Sequence, residues 1–598
     1  MKSFLKTVLA VVVGLFAATV LGTFCVTCAM VASLTVSDGN SRSATQPGDV
    51  MFLKINGEVN EVPPFRPFTF DALNGFQMNQ NLSLREYLDA IDIAQLDPNI
   101  VGIYLNTDGM TASPATYEAL HDALSAFRRS GKWIVAYNDN YTLGQYYVAS
   151  VADSVFVNTI GSVAFDGLAS SSLYPKGLLD KLGIEMQVFR VGTFKSAVEP
   201  YMIDHMSDAN RLQIGTYLNN IWKRMADDVA QSRGIAADKL DSLANEPVGY
   251  MLADELAKSG LVDNMLYKSE VEQILLDMTG RDELQGIKAK ELVDCSHDQW
   301  FPQDREHKIA VLYATGEIAS EARNVSGSDD IYYEDLIDEI RDLADDDEVA
   351  AVVLRVNSPG GSGFASEQIW HALEELRAQK PLVVSMSDYA ASGGYYISCC
   401  ADYIVAEPNT LTGSIGVFGV IPNFSRLTSG RLGINFEEVK THKFGQLSVT
   451  RPLSSAEKQK LQRTIEDFYG LFVMRCAEGR KMPLESIMEV AGGRVWTGSD
   501  AVRLGLADEL GGINRAIAKA IELAGLEGEP CSRVCYPSEQ SSFESMMQMF
   551  SDEADDLSLK VAEKLLGAMP IDRTSWSFIR HLQQADHVQA RSFDVVEF

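Results

Sequence analysis

The sequence predicts an α/β protein made of two tandem copies of one domain, preceded by a single membrane-spanning helix. Three observations lead to this fold class. An uncharged apolar run occupies residues 7–36, and several motifs recur about 250 residues apart. Apolar, β-rich runs also alternate with amphipathic helical stretches such as residues 366–377. This alternation is typical of strand–helix units on a mostly parallel sheet.

The apolar run predicts a membrane anchor. It contains no charged residue, and Lys2 and Lys6 precede it. A helix that crosses ~30 Å of hydrocarbon needs ~20 apolar residues, whereas the apolar core of a cleaved secretory signal has only ~7–15. The positive-inside rule leaves the N-terminus in the cytoplasm. We therefore expect residues 1–36 to contact membrane lipid as a single-pass, uncleaved anchor in the bacterial inner membrane.

A cleaved signal remains the alternative, and both readings place residues 37–598 outside the inner membrane. Residues 37–49 are polar and serine-rich, and we expect a tether there. The first domain is predicted at 50–290 and the second at 306–536, with a charged connector at 284–306. A C-terminal extension follows at 537–598.

Composition limits the classes of partner. The 598 residues contain 51 Lys and Arg against 82 Asp and Glu, for a net charge of −31. A chain of this length can bury large hydrophobic cores, so its fold does not need a disulfide or a metal ion for stability. Nucleic acids require clustered Lys and Arg, so we expect no nucleic-acid partner. Cys531 and Cys535 are compatible with either a local disulfide or two free thiols.

Paired motifs indicate an internal duplication. The strand-like segment 101–110 has the same form as 350–361, and Tyr146-Tyr147 matches Tyr395-Tyr396. Residues 192–200 (GTFKSAVEP) lie against 445–452 (GQLSVTRP). Residues 258–263 likewise match 503–508 (RLGLAD). Each half therefore repeats the same order of strand, turn and helix.

Glycine-rich turns in the second half suggest an oxyanion-binding site. In NSPGGSG (357–363), Gly360 and Gly361 lie between a predicted strand and a helix. Such turns expose backbone N–H groups that hold a developing negative charge. AASGG (390–394) places Ser392 on a second strand-to-helix turn, similar in logic to a nucleophile elbow, and the Gly393 N–H adds a further donor.

A serine nucleophile also needs a base. None of the eight histidines lies in these turns, and His442, the only candidate in a plausible region, is better explained as a surface loop residue. A lysine serves as the base when burial lowers its pKa enough to leave it neutral near pH 7. Ser–Lys pairs are a known variant of the catalytic triad. A third turn, TGSIG (412–416), offers a further hydroxyl on Ser414.

A comparison of the two halves identifies one candidate for the lysine base. Ser392 aligns with Leu143 of the first half, whereas Lys195 aligns with Leu447 of the second. Taken singly, a turn serine is usually a cap or spacer, and Lys195 would be a surface lysine. Because each half has lost a different component, a composite site from both halves is the simpler interpretation.

The motifs NSPGG, YAASGGYYIS, TLTGSIGVFGVI, VGTFKSAVEP and GRVWTGSDA…GLADELGG resemble the long, duplicated 67K-type form of bacterial signal peptide peptidase A, or protease IV, in peptidase family S49. The resemblance runs through nearly the whole chain after the anchor and is weak in the extension. It implies a ClpP/crotonase-like fold for both domains. It also implies a serine endopeptidase that degrades cleaved signal peptides left in the membrane.

The resemblance assigns roles to the candidate residues. Ser392 would be the nucleophile, Lys195 the general base and Ser414 the group that orients the lysine. Gly393 and Gly361, or its neighbour Gly360, would line the oxyanion hole. The family also implies a homo-tetramer that binds signal peptides and other apolar peptide segments, with no metal and no cofactor.

Three alternatives remain at this point. One is a peptidase of the same family that acts on another apolar membrane protein. Another is a crotonase-like acyl-CoA enzyme, which would use glutamate acids and bind a nucleotide that is absent outside the membrane. The last is a catalytically inactive scaffold, which the presence of both Ser392 and Lys195 disfavours.

Overall fold

The computed structural model describes residues 44–62, 68–71, 75–78, 82–246, 253–284, 286–320, 330–537 and 589–591. The predicted membrane anchor and nearly all of the extension lie outside these ranges. Within the ranges, no helix is both long enough and apolar enough to cross a membrane.

The first half is built around a six-stranded parallel sheet. Its strands are β1 (Asp49–Lys54), β2 (Gly57–Glu58), β3 (Phe68–Asp71), β4 (Gly75–Met78), β5 (Ile100–Asn106), β6 (Met110–Thr111), β7 (Trp133–Asn138), β8 (Ser154–Val157), β9 (Glu185–Val191), β10 (Asn264–Met265) and β11 (Gly286–Lys288). The strands of the parallel sheet follow the order β10-β8-β7-β5-β1-β11. Its helices are α1 (Leu84–Leu96), α2 (Pro114–Arg129), α3 (Leu143–Ala149), α4 (Lys176–Leu182), α5 (Glu199–Met202), α6 (Asp208–Arg233), α7 (Ala237–Ala244), α8 (Ala253–Ser259), α9 (Lys268–Thr279) and α10 (Ala289–Trp300), with a 3₁₀ turn at Ser196–Val198.

The second half repeats this plan. Its strands are β12 (His307–Thr315), β13 (Ile318–Ala319), β14 (Ile331–Tyr332), β15 (Val349–Ser358), β16 (Gly360–Ser362), β17 (Leu382–Ala391), β18 (Tyr403–Ala406), β19 (Leu411–Gly413), β20 (Val417–Asn423), β21 (Val495–Thr497), β22 (Glu509–Leu510), β23 (Cys531–Tyr536) and β24 (Gln589–Arg591). Its helices are α11 (Tyr333–Asp345), α12 (Gly363–Arg377), α13 (Gly393–Ser398), α14 (Ser455–Gly479), α15 (Leu484–Val490), α16 (Gly498–Leu504) and α17 (Ile513–Leu523), with a π-helical turn at Arg426–Leu432.

The two main sheets share a six-stranded parallel arrangement. In the second half it has the order β22-β18-β17-β15-β12-β23, which matches the first half strand for strand. The second sheet contains two further strands, since β19 also pairs with β17 and β21 pairs antiparallel with β19. Central strands such as β15 carry a continuous apolar run that is buried on both faces, as parallel strands covered by helices require. The predicted α/β class is therefore confirmed.

Equivalent hydrogen bonds support the duplication. The Tyr146 hydroxyl donates to the Leu261 carbonyl at 2.7 Å, and the Tyr395 hydroxyl donates to the Leu506 carbonyl at 2.9 Å. Both tyrosines are fully buried, so each hydroxyl needs this partner. The repeat thus extends from the backbone to individual side-chain contacts.

A third sheet joins the halves. Strand β9 of the first half pairs antiparallel with β20 of the second over seven residue pairs, from Val191 with Val417 to Glu185 with Asn423. Lys195 lies four residues beyond β9, and Ser414 lies three residues before β20. The pairing therefore brings a segment of the first half beside the glycine-rich turns of the second.

The structure decides between the two readings of Cys531 and Cys535. Both lie on the extended strand β23, where a rise of ~3.3 Å per residue separates their Cα atoms by roughly 13 Å. A disulfide requires Cα atoms within about 7 Å. The local disulfide is therefore excluded, and both thiols are free.

Candidate active site

Ser392 lies on a strained turn between β17 and α13. Its φ and ψ are 57° and −112°, a conformation that residues with a Cβ adopt only where surrounding structure enforces it. Its backbone N–H donates to the Gly413 carbonyl at 2.8 Å, and the residue is fully buried. A sharp strand-to-helix turn of this kind presents a serine hydroxyl at the end of a sheet.

Ser414 lies on the neighbouring turn, directly after β19. It also has a positive φ, 49°, and its backbone N–H donates to the Arg494 carbonyl at 2.7 Å. Because β19 pairs in parallel with β17, the two serines follow adjacent strand ends. The carboxyl ends of parallel strands are a common place for functional side chains in α/β proteins.

Lys195 of the first half reaches both serines. Its Nζ lies 2.6 Å from Ser392 Oγ, 3.0 Å from Ser414 Oγ and 3.1 Å from the Ser414 carbonyl oxygen. Only 1% of the lysine is exposed. The predicted meeting of Ser392 and Lys195 thus occurs within a single chain, without a neighbouring protomer.

Three oxygen atoms lie within hydrogen-bond distance of the buried Lys195 Nζ, two of Ser414 and one of Ser392. Burial away from water disfavours the charged form of an amine. The distance from Nζ to Ser392 Oγ is short enough for a proton to pass between the two groups.

The glycine turns lie against each other beside Ser392. A Cβ on Gly394 would come within 2.5 Å of the Ser358 carbonyl oxygen, and one on Gly361 would meet the Ile318 carbonyl oxygen at 2.1 Å. Both positions therefore require glycine. The N–H of Gly360 donates to Ser358 Oγ at 3.2 Å. Gly361 and Gly393 are the stronger candidates for the predicted oxyanion hole.

The equivalent turn of the first half has an ordinary structural role. Leu143, the counterpart of Ser392, begins α3 and is buried. The Thr142 side chain caps that helix in a capping box with Gln145. Leu447, the counterpart of Lys195, is exposed, as is His442.

Two features beside Lys195 were not predicted from the sequence. The side-chain amide of Gln213, on α6, contacts the residues on both sides of the lysine, at the Phe194 carbonyl and the Ser196 hydroxyl. The segment 492–495 lies between Lys195 and Ser414. The sequence signal at this segment was the motif GRVWTGSDA, which begins at Gly493 and matched the family but suggested no role for that glycine.

A short strand from the C-terminal extension also reaches the site. The backbone of β24 pairs antiparallel with β16, in the register Gly361 with Ala590, and with β20 at Phe418 and Gln589. It thus lies between the glycine turn and the strand that follows Ser414. Among the described residues, no group of three or more His, Cys, Asp or Glu side chains is arranged to hold a metal ion.

A family model described as peptidase family S49 matches residues 126–278 and 374–527, once in each half. This chain belongs to peptidase family S49. The two matches confirm the predicted duplication and resemblance, and they make the protein an S49 serine protease. The acyl-CoA alternative is correspondingly disfavoured.

Several relatives resemble this S49 peptidase over most of its length. Protease 4 of Salmonella typhi is 40% identical over 462 residues, which cover 75% of this chain and 73% of the relative. Protease 4 of Haemophilus influenzae is 35% identical over 515 residues, which cover 83% of this chain and 82% of the relative. The chloroplastic serine protease SPPA of Arabidopsis thaliana is 31% identical over 491 residues, which cover 80% of this chain and 70% of the relative.

The similarity to a solved ClpP protease is low. The ClpP protease catalytic domain from Plasmodium falciparum covers 33% of this S49 peptidase and 84% of its own chain, with 15% identity and a TM-score of 0.22. The assignment of both domains to a ClpP/crotonase-like fold therefore stays a prediction.

Proposed function

We propose that this protein is a membrane-anchored serine endopeptidase that degrades cleaved signal peptides through a Ser392–Lys195 dyad. The observation that carries the proposal is the buried contact of 2.6 Å between Lys195 Nζ and Ser392 Oγ. A general base must lie within about 2.6–3.2 Å of the proton that it removes. The contact meets this requirement.

In the first step, Lys195 takes the proton from Ser392 as its Oγ attacks the peptide carbonyl carbon. The carbonyl oxygen becomes an oxyanion, and the N–H groups of Gly361 and Gly393 stabilise it. Loss of one such donor costs about 3–4 kcal/mol of transition-state stabilisation. The protonated lysine then donates to the leaving amine as the C–N bond breaks, and an ester to Ser392 remains.

In the second step, water hydrolyses this acyl-enzyme. Lys195 removes a proton from the water, the hydroxide adds to the ester carbonyl, and Ser392 recovers its proton as the C–O bond breaks. Ser414 keeps the amine aligned in both steps through its hydroxyl and carbonyl. The chain's own residues supply every group in this scheme, and we propose no cofactor or metal.

The substrate chain is proposed to bind as an extended strand along β16. The antiparallel pairing of β24 with Gly360–Ser362 supports this mode, because it places an extended backbone beside the glycine turn. Strand addition of this kind takes its affinity from main-chain hydrogen bonds and tolerates many side-chain sequences. Such tolerance suits the degradation of apolar signal peptides that differ in sequence.

We propose that residues 7–36 anchor the protease in the inner membrane, with residues 37–598 outside the cytoplasm. The uncharged run following Lys2 and Lys6 supports this topology. An anchor would hold the site close to membrane-embedded substrates.

We also propose that the protease is a homo-tetramer. A segment after β20 exposes apolar side chains that an isolated chain would leave in water: Leu432, Ile434, Phe436, Val439, Phe444, Leu447 and Val449. Exposed apolar groups of this extent mark interaction surfaces. Light scattering on the detergent-solubilised protein should give the mass of four chains, and a monomer mass would contradict the proposal.

The decisive experiment measures cleavage of a fluorescent apolar signal peptide by the purified full chain in detergent. Ser392→Ala and Lys195→Ala should each abolish cleavage. The matched controls are Ser398→Ala, a buried serine that bonds the Gly394 carbonyl, and Lys132→Ala, a lysine that bonds two carbonyls of the first half. Both controls should remain active. Full activity of either dyad variant would refute the mechanism.

The second candidate is a peptidase that acts on another apolar membrane protein. It uses the same dyad, so only the substrate separates the two proposals. Vesicles that contain both a signal peptide and an intact single-span protein should yield fragments of the signal peptide alone. Cleavage of the intact span at an equal rate would favour the second candidate.

A further inference from the structure

The segment Gly492–Val495 lies between the elements that carry Lys195 and Ser414. On one side its backbone bonds the third glycine-rich turn. The Gly493 N–H donates to the Ile415 carbonyl at 2.8 Å, and the Arg494 carbonyl accepts from the Ser414 N–H at 2.7 Å. Two main-chain hydrogen bonds therefore fix this segment to Ser414, which touches the lysine, and to Ile415, the residue after it.

On its other side the same segment touches the lysine loop. The Gly492 carbonyl accepts from the Phe194 N–H at 2.9 Å. A Cβ on Gly493 would lie 2.6 Å from the Lys195 backbone nitrogen and 2.8 Å from its Cα. The backbone of Lys195 thus packs directly on Gly493, at a distance that only glycine allows.

Gln213, on α6 of the first half, contacts both the lysine loop and the segment Gly492–Val495. Its side-chain Nε2 lies within hydrogen-bond distance of three acceptors: the Ser196 hydroxyl, Asn210 Oδ1 at 2.9 Å and the Phe194 carbonyl at 3.3 Å. Its Oε1 accepts from the Val495 N–H at 3.3 Å. The side chain is 1% exposed. One buried amide therefore bonds the residues on both sides of Lys195 and the bridging segment of the other half.

We propose that Gln213 and Gly493 are positioning residues that hold Lys195 in register with Ser392 and Ser414. Neither contacts a reacting atom. Lys195 carries its amine on four flexible carbons, so the place of the amine depends on where its backbone is held. A misplacement of about 1 Å can cost a factor of 100 in rate. This inference rests on the proposed dyad function.

The first test compares Gln213→Leu with Asn220→Leu. Asn220 lies two turns further along α6 and also bonds the second half, through Asp500 Oδ2 at 2.8 Å and Thr497 Oγ1 at 3.4 Å. Both variants lose a polar contact between halves, but only Gln213 touches the lysine loop. Gln213→Leu should lower kcat about 10–100-fold with KM within about twofold. Asn220→Leu should keep kcat within about twofold.

The second test compares Gly493→Ala with Gly492→Ala. The two glycines have φ of 80° and 72°, so alanine strains the backbone similarly at both. A Cβ on Gly492 meets no atom within 4 Å, whereas one on Gly493 collides with Lys195. Gly493→Ala should therefore lose at least about tenfold more kcat than Gly492→Ala, at a comparable melting temperature.

The outcomes separate this inference from the proposed function. Activity in Ser392→Ala or Lys195→Ala would refute the dyad itself. If those variants are inactive while Gln213→Leu retains the kcat of Asn220→Leu, the positioning role is refuted and the dyad stands. A fall in Gln213→Leu activity that comes entirely from a raised KM would also overturn it. If Gly493→Ala fails to fold, the comparison of Gln213→Leu with Asn220→Leu tests the positioning role by itself.

Discussion

Asp388 of the second half accepts two hydrogen bonds from Thr116 of the first, one from the backbone N–H at 2.9 Å and one from the hydroxyl at 2.8 Å. Thr116 lies in the first turn of α2, whose own N-cap residue, Ser113, makes no capping bond. A carboxylate at a helix N-terminus satisfies free N–H groups and complements the helix dipole. One repeat thus caps a helix of the other, four residues before Ser392.

Asp388→Leu should destabilise the folded chain by about 2–3 kcal/mol, because it leaves the two Thr116 donors without an acceptor and also removes the longer contact of 3.4 Å with Asn357 Nδ2. Thr116→Val removes one of these donors, so the double variant should lose less than the sum of the single variants. Urea unfolding of the four proteins of this cycle measures the coupling. Asp298→Leu, at a side chain that is 95% exposed, is the control and should change stability by less than about 0.5 kcal/mol. Additive losses would contradict a direct contact.

The buried carboxyl of Glu407 should make the unfolding free energy depend on pH. It is fully buried, its Oε1 has no hydrogen-bond partner within the described residues, and burial raises its pKa to about 8. An unfolded glutamate titrates near 4.5, so between these values the folded state binds the proton more tightly. The resulting stabilisation is complete below pH 4.5 and is lost as the pH rises to 8.

Glu407→Gln removes this titration. The unfolding free energy of the natural protein should therefore fall relative to that of the variant between pH 5 and 8, by at most about 1.4 kcal/mol per pH unit. Both proteins share every other titrating group, including Asp388, whose pKa burial raises to about 6. Thermal unfolding of both at pH 5, 6.5 and 8 measures the difference. Parallel curves would show that Glu407 does not hold a proton.

The sequence predicted the features that local pattern controls. Alternating strands and helices gave the sheets, and the repeat made the exchange of Leu143 for Ser392 visible. The role of Gln213 was not predictable, because an amide on a long helix has no local signature and its partners come from residues far along the chain. The pairing of β9 with β20 was missed for the same reason: it joins strands of different repeats.

Substitution of Ser414 should cause an intermediate loss of activity. Ser414→Ala removes the hydroxyl 3.0 Å from Lys195 Nζ but keeps the carbonyl at 3.1 Å, so the amine retains part of its alignment. We expect kcat to fall about 10-fold, well short of the loss in Lys195→Ala. Ser414→Thr restores a hydroxyl at the same turn and should recover part of the rate. A loss as complete as that of Lys195→Ala would instead make Ser414 an obligatory proton carrier.

The pairing of β24 with β16 predicts competition between the C-terminal extension and substrate. Residues 589–591 occupy the edge of Gly360–Ser362 along which we propose that substrate binds. A chain that ends at residue 588 should show a KM several-fold lower at an unchanged kcat, since no internal strand then has to leave before substrate binds. A chain that ends at residue 591 keeps the strand and should retain the KM of the full chain. A synthetic peptide covering residues 585–598 should inhibit the shorter chain competitively, and identical KM values for the two truncated chains would rule out this competition.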